Sequence, residues 1–341
     1  MNLAAERLQA WVAQVFRKGG MPQEHADTVA RVLVWANLRG MDTHGVVRVP
    51  RYFEWLRSGE LNPRPVMTTR NEAAACVLLE ADRAAGPIAM NVACDLSMQK
   101  AKAAGIGLCL VRGTTHTAAL GYYTHRAAQA GMAAIAFSAS GPNMAYHGAR
   151  AAGVSTAPLA LAVPAEGEPV ALDMASGVVS LGRLAQARRA NEALPPGWAL
   201  DAQGMPTTDA QQARLPLPLG GAKGSGLSLL IECLASLLAG NPLLAEVLEA
   251  TPQGRRHRQN AAVIAFDVAR FVEPQQFARE VARLARAIRA LPPQPGTEIL
   301  LPGERGRRAA EKRRRDGIPL PAPVLEELRA LARSLDMEEP S

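Results

Sequence analysis

The chain is poor in aromatic side chains. Phe, Trp and Tyr make up only 4% of its 341 positions, so the interior has to be assembled from Ala, Val, Leu and other aliphatic residues rather than from stacked rings. It has four cysteines, Cys76, Cys94, Cys109 and Cys233, and none is in C-x-x-C spacing. That excludes a disulfide-stapled scaffold and leaves no zinc site or other metal site to propose. Three of the four lie in apolar runs, and the set reads as buried, reduced thiols of a cytoplasmic protein. No run of about 18 apolar residues occurs, so no membrane-spanning helix is expected. No G-x-G-x-x-G follows a strand. Lys223 of GGAKGSG precedes Gly224 where a phosphate loop needs Ser or Thr, and there is no G-x-S-x-G elbow. The usual dinucleotide fingerprint, the phosphate loop and the hydrolase nucleophile are therefore all missing.

What is present is globular. Hydrophobic residues are 48% and charged residues 20% of the chain, and mean hydropathy is −0.02. These values exclude a disordered or collagen-like chain. The N-terminal MNLAAERLQAWVAQVF carries Glu6 and Arg7 inside its apolar pattern, which reads as an amphipathic helix and not as a signal peptide. The net charge is +7. The excess lies in Arg255, Arg256 and Arg258 and in the stretch 303–317, which holds seven Lys/Arg and three Asp/Glu. No aromatic residue is interleaved there, so a solvated helix face is expected and nucleic acid is not a predicted partner. A basic, non-catalytic binding protein is the reading from a different class.

Apolar spacing of i, i+3, i+4, i+7 predicts helices over 3–17 and 23–39, and a third short helix with Pro50 in its first turn. Strands are predicted at 74–80, 106–111, 132–138, 158–164, 168–174, 261–267 and 298–304. Helices are predicted at 87–103, 121–130, 178–190, 224–239, 274–290, 305–315 and 322–335. Strands alternate with helices, but some neighbours are joined by short turns, which predicts an α/β fold with a mixed sheet.

Three stretches carry candidate chemistry. In Asp42-Thr43-His44-Gly45, His44 suits proton transfer near neutral pH. Arg48 and Tyr52 follow at four-residue intervals and would share its face if the segment were helical. An arginine beside such a histidine suits a carboxylate substrate. In Arg112-Gly113-Thr114-Thr115-His116, His116 follows a strand end, where sites of α/β folds form. His125 in a helix and His147 in a loop are weaker candidates. In GGAKGSG, glycines and Lys223 at a helix start suit a phosphate or equally a bare helix entry.

At these residues the sequence resembles the type 2 malate/L-lactate dehydrogenases. That family also holds ureidoglycolate and sulfolactate dehydrogenases, diketogulonate reductase and Δ1-piperideine-2-carboxylate/Δ1-pyrroline-2-carboxylate reductase. MDTHGVVRVPRY, RGTTH with GYY, LDMASGVVSLGR, PPGWALDAQGMPTTD, LPLGGAKGSGLSLLIE, LLPGE and DGIPL carry the resemblance along nearly the whole chain. It implies a non-Rossmann nicotinamide-binding domain with helical N- and C-terminal segments. The implied parts are 1–60 with 318–341 on the substrate side, 61–116 with 269–317 for dimerisation, and 117–268 for the cofactor.

The resemblance further implies a cytoplasmic homodimer that uses NAD or NADP. His44 and His116 are the proton-transfer candidates, with Asp173 and Thr43 orienting them. Arg48 and Tyr52 hold the substrate carboxylate. Ser140, Asp173, Met174, Ala175, Lys223 and His147 are at cofactor positions. The implied reaction is hydride transfer between nicotinamide and C2 of a small 2-hydroxy or 2-oxo acid, with reduction of cyclic imino acids by NADPH as the alternative. The chain departs from the family pattern at Thr43, where Ser is common, at Ala118, where Gly is common, at Ser155–Pro158, and at Asn260-Ala261.

Overall fold

A computed structural model describes residues 1–252 and 258–340. Strand β1 (Asn2–Leu3) leads into α1 (Ala5–Lys18), which turns Leu8, Trp11, Val12, Val15 and Phe16 inward. Glu6 in its first turn and Arg17 and Lys18 in its last suit the helix dipole. Helix α2 (Gln23–Leu38) buries Val29, Val32 and Leu33 on the same core. Two short 3₁₀ turns, Asp42–His44 and Val46–Arg48, separate α2 from α3 (Val49–Ser58), which has Pro50 at its start.

The sheet begins with β2 (Thr68–Arg70) and β3 (Cys76–Glu80). Helix α4 (Gly86–Ala104) crosses over to β4 (Ile106–Thr114), giving a parallel β3–β4 pair. Helix α5 (Gly121–Gln129) precedes β5 (Met132–Ser140), a small β6 (Met144–Ala145) and β7 (Ala152–Val154) pair, and the antiparallel pair β8 (Leu159–Val163) and β9 (Val170–Met174). Next come α6 (Leu181–Ala190), the small strands β10 (Ala199–Leu200), β11 (Pro206–Thr207) and β12 (Leu215–Pro216), and α7 (Ala222–Glu232), which runs into a π-helical turn at Cys233–Leu237. After the short α8 (Leu244–Leu248), β13 (Gln259–Asp267) returns to the sheet. Helices α9 (Pro274–Arg289) and α10 (Glu304–Asp316), strand β14 (Ile318–Pro319) and helix α11 (Ala322–Ser334) close the chain.

The seven-stranded order is β2-β3-β4-β13-β5-β8-β9. Every neighbouring pair except β3–β4 is antiparallel, so the sheet is mixed, as expected. Its core is rich in alanine, and the small side chains permit close helix–sheet approach. A Cβ on Gly107 of β4 would lie 2.0 Å from the Ser97 carbonyl of α4. The two ends of the chain meet. β1 pairs with β14, and Trp11 Nε1 donates to the Glu338 carbonyl at 2.8 Å. Residues around α6 and β10–β12 keep a small core of their own, with Leu184, Ala187, Leu194 and Ala199 at its centre.

Two expectations are corrected. Residues 298–303 form no strand. Pro302 has no N–H for a ladder, and its carbonyl accepts one bond, from Ala171 N of the edge strand β9, before Gly303 turns the chain into α10. The cysteines are all free, but only Cys94 and Cys109 are fully buried. The basic stretch 303–317 is largely a solvated helix face, as expected, but most of its charge is paired. Arg307, Arg308, Lys312, Arg313 and Arg315, five of its seven cations, are paired with carboxylates. Of the other basic group, Arg255 and Arg256 lie outside the described residues.

Candidate active site

Gly45 separates the two 3₁₀ turns with an extended backbone (φ −95°, ψ −147°), and this break sets the phase of the first motif. His44, Arg48 and Tyr52 therefore do not share one helical face. Thr43, His44 and Arg48 line a cleft of about 800 Å³. Tyr52 turns inward, is fully buried and is not part of the cleft wall. Its place is beneath His116, so its geometry supports holding a histidine and not a substrate.

His116 follows β4 and reaches the same cleft. The rings of His44 and His116 stack with centroids 5.5 Å apart and 19° between planes. The Tyr52 hydroxyl lies 2.8 Å from His116 Nδ1 and 2.9 Å from the His116 carbonyl. A carbonyl can only accept, and the phenol has one proton. Both contacts are satisfied when the hydroxyl donates to the carbonyl and accepts from Nδ1–H. That tautomer leaves Nε2 as the basic nitrogen of the neutral ring. The backbone here has no slack, since a Cβ on Gly86 would lie 2.2 Å from the same carbonyl.

His44 Nδ1 pairs with Thr43 Oγ1 at 3.0 Å. Burial, and secondarily the charge of Arg48, pull the His44 pKa down to about 4, so the ring is neutral at physiological pH. Arg48 Nε donates to the Thr43 carbonyl at 2.7 Å, which leaves its Nη groups to serve a carboxylate. Burial lowers the Arg48 pKa from its usual 12.5, and the guanidinium keeps its charge. Arg51 and Trp55, later on α3, also line the cleft, and the Arg51 guanidinium sits 5.4 Å from the Trp55 ring centre.

Asp173, at the end of β9, lines the cleft with Met174 and Ala175. Burial raises its pKa to about 6, while the Gly121 amide, donating to Oδ2 at 2.7 Å, acts the other way. A side chain at Gly121 would press on this carboxyl at 3.0 Å, which explains the glycine of GYY. The substitution of Thr for Ser at position 43 also has a physical correlate. Its methyl fills the space over Gly182 of α6, where any Cβ would come within 2.3 Å.

Ser140 lines the cleft with Ser138, Asn143 and Thr156. These small, uncharged polar walls beside Met174 and Ala175 fit a flat nicotinamide ring and its ribose, with Arg258 as a cation on the same surface. Lys223 and His147 are brought to each other's neighbourhood but not to the cleft wall. Lys223 is exposed at the start of α7, and the His147 ring rests against Gly221, with a Cβ there 3.2 Å away. His125 stands apart, bonded to Glu168 at 3.0 Å. Burial depresses its pKa. Arg112 is a structural residue, ion-paired with Glu80 and donating to the Ala239 carbonyl at 3.1 Å.

Sequence reasoning missed Asn37, Gly86, Gly182 and Arg313. Only a glycine in the wrong place for a turn hinted at the second and third. Among the described residues no cluster of His, Cys, Asp or Glu is arranged to hold a metal ion.

Known proteins share this architecture from end to end. Residues 3–329 match the malate/L-lactate dehydrogenase family. A malate dehydrogenase of Pyrococcus horikoshii is 34% identical over 99% of this chain and 96% of its own length. The NAD(+)-dependent ureidoglycolate dehydrogenase of Escherichia coli K12 is 31% identical over 89% of this chain and 88% of its own. The solved sulfolactate dehydrogenase of Methanocaldococcus jannaschii superposes with a TM-score of 0.91 at 32% identity, covering 99% of this chain and 98% of that one. The chain belongs to the malate/L-lactate dehydrogenase family and is a nicotinamide-dependent oxidoreductase of small carboxylic acids.

Proposed function

We propose that this enzyme interconverts a 2-hydroxy and a 2-oxo acid that bears a second acidic group, with His116 as the proton carrier. One observation carries the reading. Arg48 and a histidine whose tautomer is dictated by a buried tyrosine line the same cleft. Arg48 takes the C1 carboxylate in a two-point contact, which fixes C2 and its oxygen. The nicotinamide, when bound, supplies or accepts the hydride at C2. In the reductive direction His116 Nε2 donates a proton to the developing alkoxide, a step worth on the order of 10²–10⁴-fold. His44, neutral by burial, is the weaker acid/base candidate and serves as a hydrogen-bonding wall beside His116. Asp173, ionised above pH about 6, stabilises the imidazolium. Arg51, ion-paired with Glu54 at 2.6 Å, adds a second guanidinium to the substrate wall. A second acidic group on the substrate would take the place of Glu54, which favours a dianion over a monocarboxylate or a cyclic imino acid.

Ser140, Met174 and Ala175 would hold the nicotinamide end. Lys223 and His147, beside Gly220 and Gly221, are assigned to the phosphates. In this reading 1–60 with 318–341 forms the substrate side, 117–268 the cofactor side, and 61–116 with 269–317 the subunit contact. A cytoplasmic homodimer is part of the proposal. The dimer is supported by apolar side chains left exposed on α9 and after it (Leu284, Ile288, Leu291), on α7 (Leu229, Leu230), and on the π-helical turn and the residue that follows it (Leu234, Leu238). Sedimentation tests the dimer. Parallel titration with NADH and NADPH assigns the dinucleotide. Turnover of oxaloacetate, pyruvate and Δ1-pyrroline-2-carboxylate by wild type and by Arg51→Ala tests the substrate class. Loss confined to the dianion supports it, and equal turnover of all three by both proteins refutes it.

A further inference from the structure

Helix α10 is almost wholly polar, and most of its basic side chains point to solvent. Lys312 and Arg315 are 70% and 74% exposed, whereas Arg313 is only 17% exposed. Arg313 reaches across to the end of α2. Its Nη1 donates to the Asn37 carbonyl and, at 2.6 Å, to Asp42 Oδ1, while Nη2 donates to Asp42 Oδ2 at 2.9 Å. The fork thus grips the Asp42 carboxylate with two parallel bonds and also answers a terminal carbonyl of α2. That helix has no basic residue in its own last turn, so Arg313 supplies the cation that a helix C-terminus favours.

Asn37 completes the arrangement from inside. Its side chain is 1% exposed. Nδ2 donates to Asp42 Oδ1 at 2.6 Å, and Oδ1 accepts from Val46 N at 2.8 Å. A Cβ on Gly45 would fall 2.1 Å from that oxygen, so glycine is required there. Asp42 and Val46 are the residues on either side of Thr43-His44-Gly45. The turn that presents His44, and whose Thr43 carbonyl anchors Arg48, is therefore held at both ends by groups that never enter the cleft.

We propose that Arg313 is a positioning residue for His44 and Arg48, acting through Asp42 and the buried Asn37. The proposal rests on the reading that His44 and Arg48 face the reacting acid. A two-point guanidinium–carboxylate contact fixes direction as well as distance. Displacing reacting groups by about 1 Å costs roughly 10²-fold in rate, so loosening this turn reduces turnover without removing any group from the cleft.

The test compares Arg313→Met, Arg313→Lys and Asp42→Asn with Arg308→Met. Arg308 is a fair control, because on the same helix it makes a two-point contact to Glu298 that faces solvent. Each purified protein is assayed well below its melting temperature for kcat, KM and NADH affinity. The His44 ring is titrated by NMR in isotope-labelled protein, Arg48 and His116 being the charged and titratable groups set against it.

The expected result for Arg313→Met is a fall in kcat/KM of about 10- to 100-fold, an NADH Kd within about twofold of wild type, and a His44 midpoint that rises from about 4 toward its ordinary value. Arg313→Lys should fall between, and Arg308→Met should match wild type. The Arg313→Met/Asp42→Asn double variant should be no worse than Arg313→Met alone. Folded Arg313→Met or Arg313→Lys protein with unchanged kinetics and unchanged His44 titration overturns the proposal, as does an equal loss in Arg308→Met. If wild type turned over no acid at all, the hydride-transfer reading would fail, while the NMR titration would still decide whether Arg313 governs His44.

Discussion

The hydroxyl of Tyr52 stands 2.8 Å from Nδ1 of His116 and 2.9 Å from the carbonyl of the same residue. One buried phenol therefore settles both the tautomer and the position of the imidazole. Removing the hydroxyl should leave the fold in place, because the Tyr52 ring still packs against Trp55 and Phe16. Tyr52→Phe is expected to lower kcat about 10- to 100-fold and to leave KM for the acid nearly unchanged, since Arg48 is untouched. Steady-state kinetics check this. A large rise in KM with kcat intact would return Tyr52 to the substrate-binding role that the family resemblance implied.

Arg48 is predicted to act on binding. Arg48→Lys keeps the charge but loses the planar fork, so KM for the acid should rise about tenfold or more while NADH affinity holds. Kinetics at fixed, saturating NADH together with a separate NADH titration separate the two effects.

Asp173 couples activity to stability through pH. Its carboxyl holds a proton more tightly in the folded chain, with a pKa of about 6, than at the ordinary value of 3.8. Between those values the folded state binds more protons than the unfolded state, so this group's contribution to stability falls as pH rises through the window. Asp173→Asn should therefore be more stable than wild type at pH 8, by up to about 3 kcal/mol. The two should converge below pH about 4. On the proposed role of Asp173 in supporting the imidazolium, turnover should fall. Denaturant titrations across this pH range read the stability term directly.

Ala118 occupies the left-handed region, with φ +56°, two residues after His116. A Cβ there costs on the order of 1 kcal/mol. Ala118→Gly relieves that strain but gains freedom in the unfolded chain, so the expected net change is a stabilisation of less than about 1 kcal/mol with activity retained. Thermal unfolding and a turnover assay check it.

The contrast between motif and architecture shows what a sequence carries. His44, Arg48 and His116 were legible because each belongs to a local pattern, Asp173 and Ser140 were legible only through the family resemblance, and the cleft gathers all five. Alternating helices and strands with short turns revealed the mixed sheet. The shared face of His44, Arg48 and Tyr52 depended on a continuous helix, and Gly45 breaks the helical phase, so four-residue spacing ceases to mean a shared side. Residues 298–303 looked like a strand because Ile299, Leu300 and Leu301 are apolar, but Pro302 cannot continue a ladder. Arg313 and Asp42 are 271 residues apart in sequence, and no local pattern announces such a pair. Among the arginines of a charged helix, only packing distinguishes the one that turns inward. Thr43 was visible as a departure from the family's serine, yet its physical meaning required Gly182 beside it.

The central claim is that Arg48 and His116 act together on a 2-oxo acid beside a reduced nicotinamide. The most direct test is the loss of reduced-nicotinamide absorbance on adding oxaloacetate to enzyme charged with NADH or NADPH, measured for wild type, His116→Ala and Arg48→Ala. The account predicts rapid loss in wild type, a loss at least about 100-fold slower in His116→Ala, and recovery of Arg48→Ala only at much higher substrate concentration. Turnover in His116→Ala equal to that of wild type would contradict it.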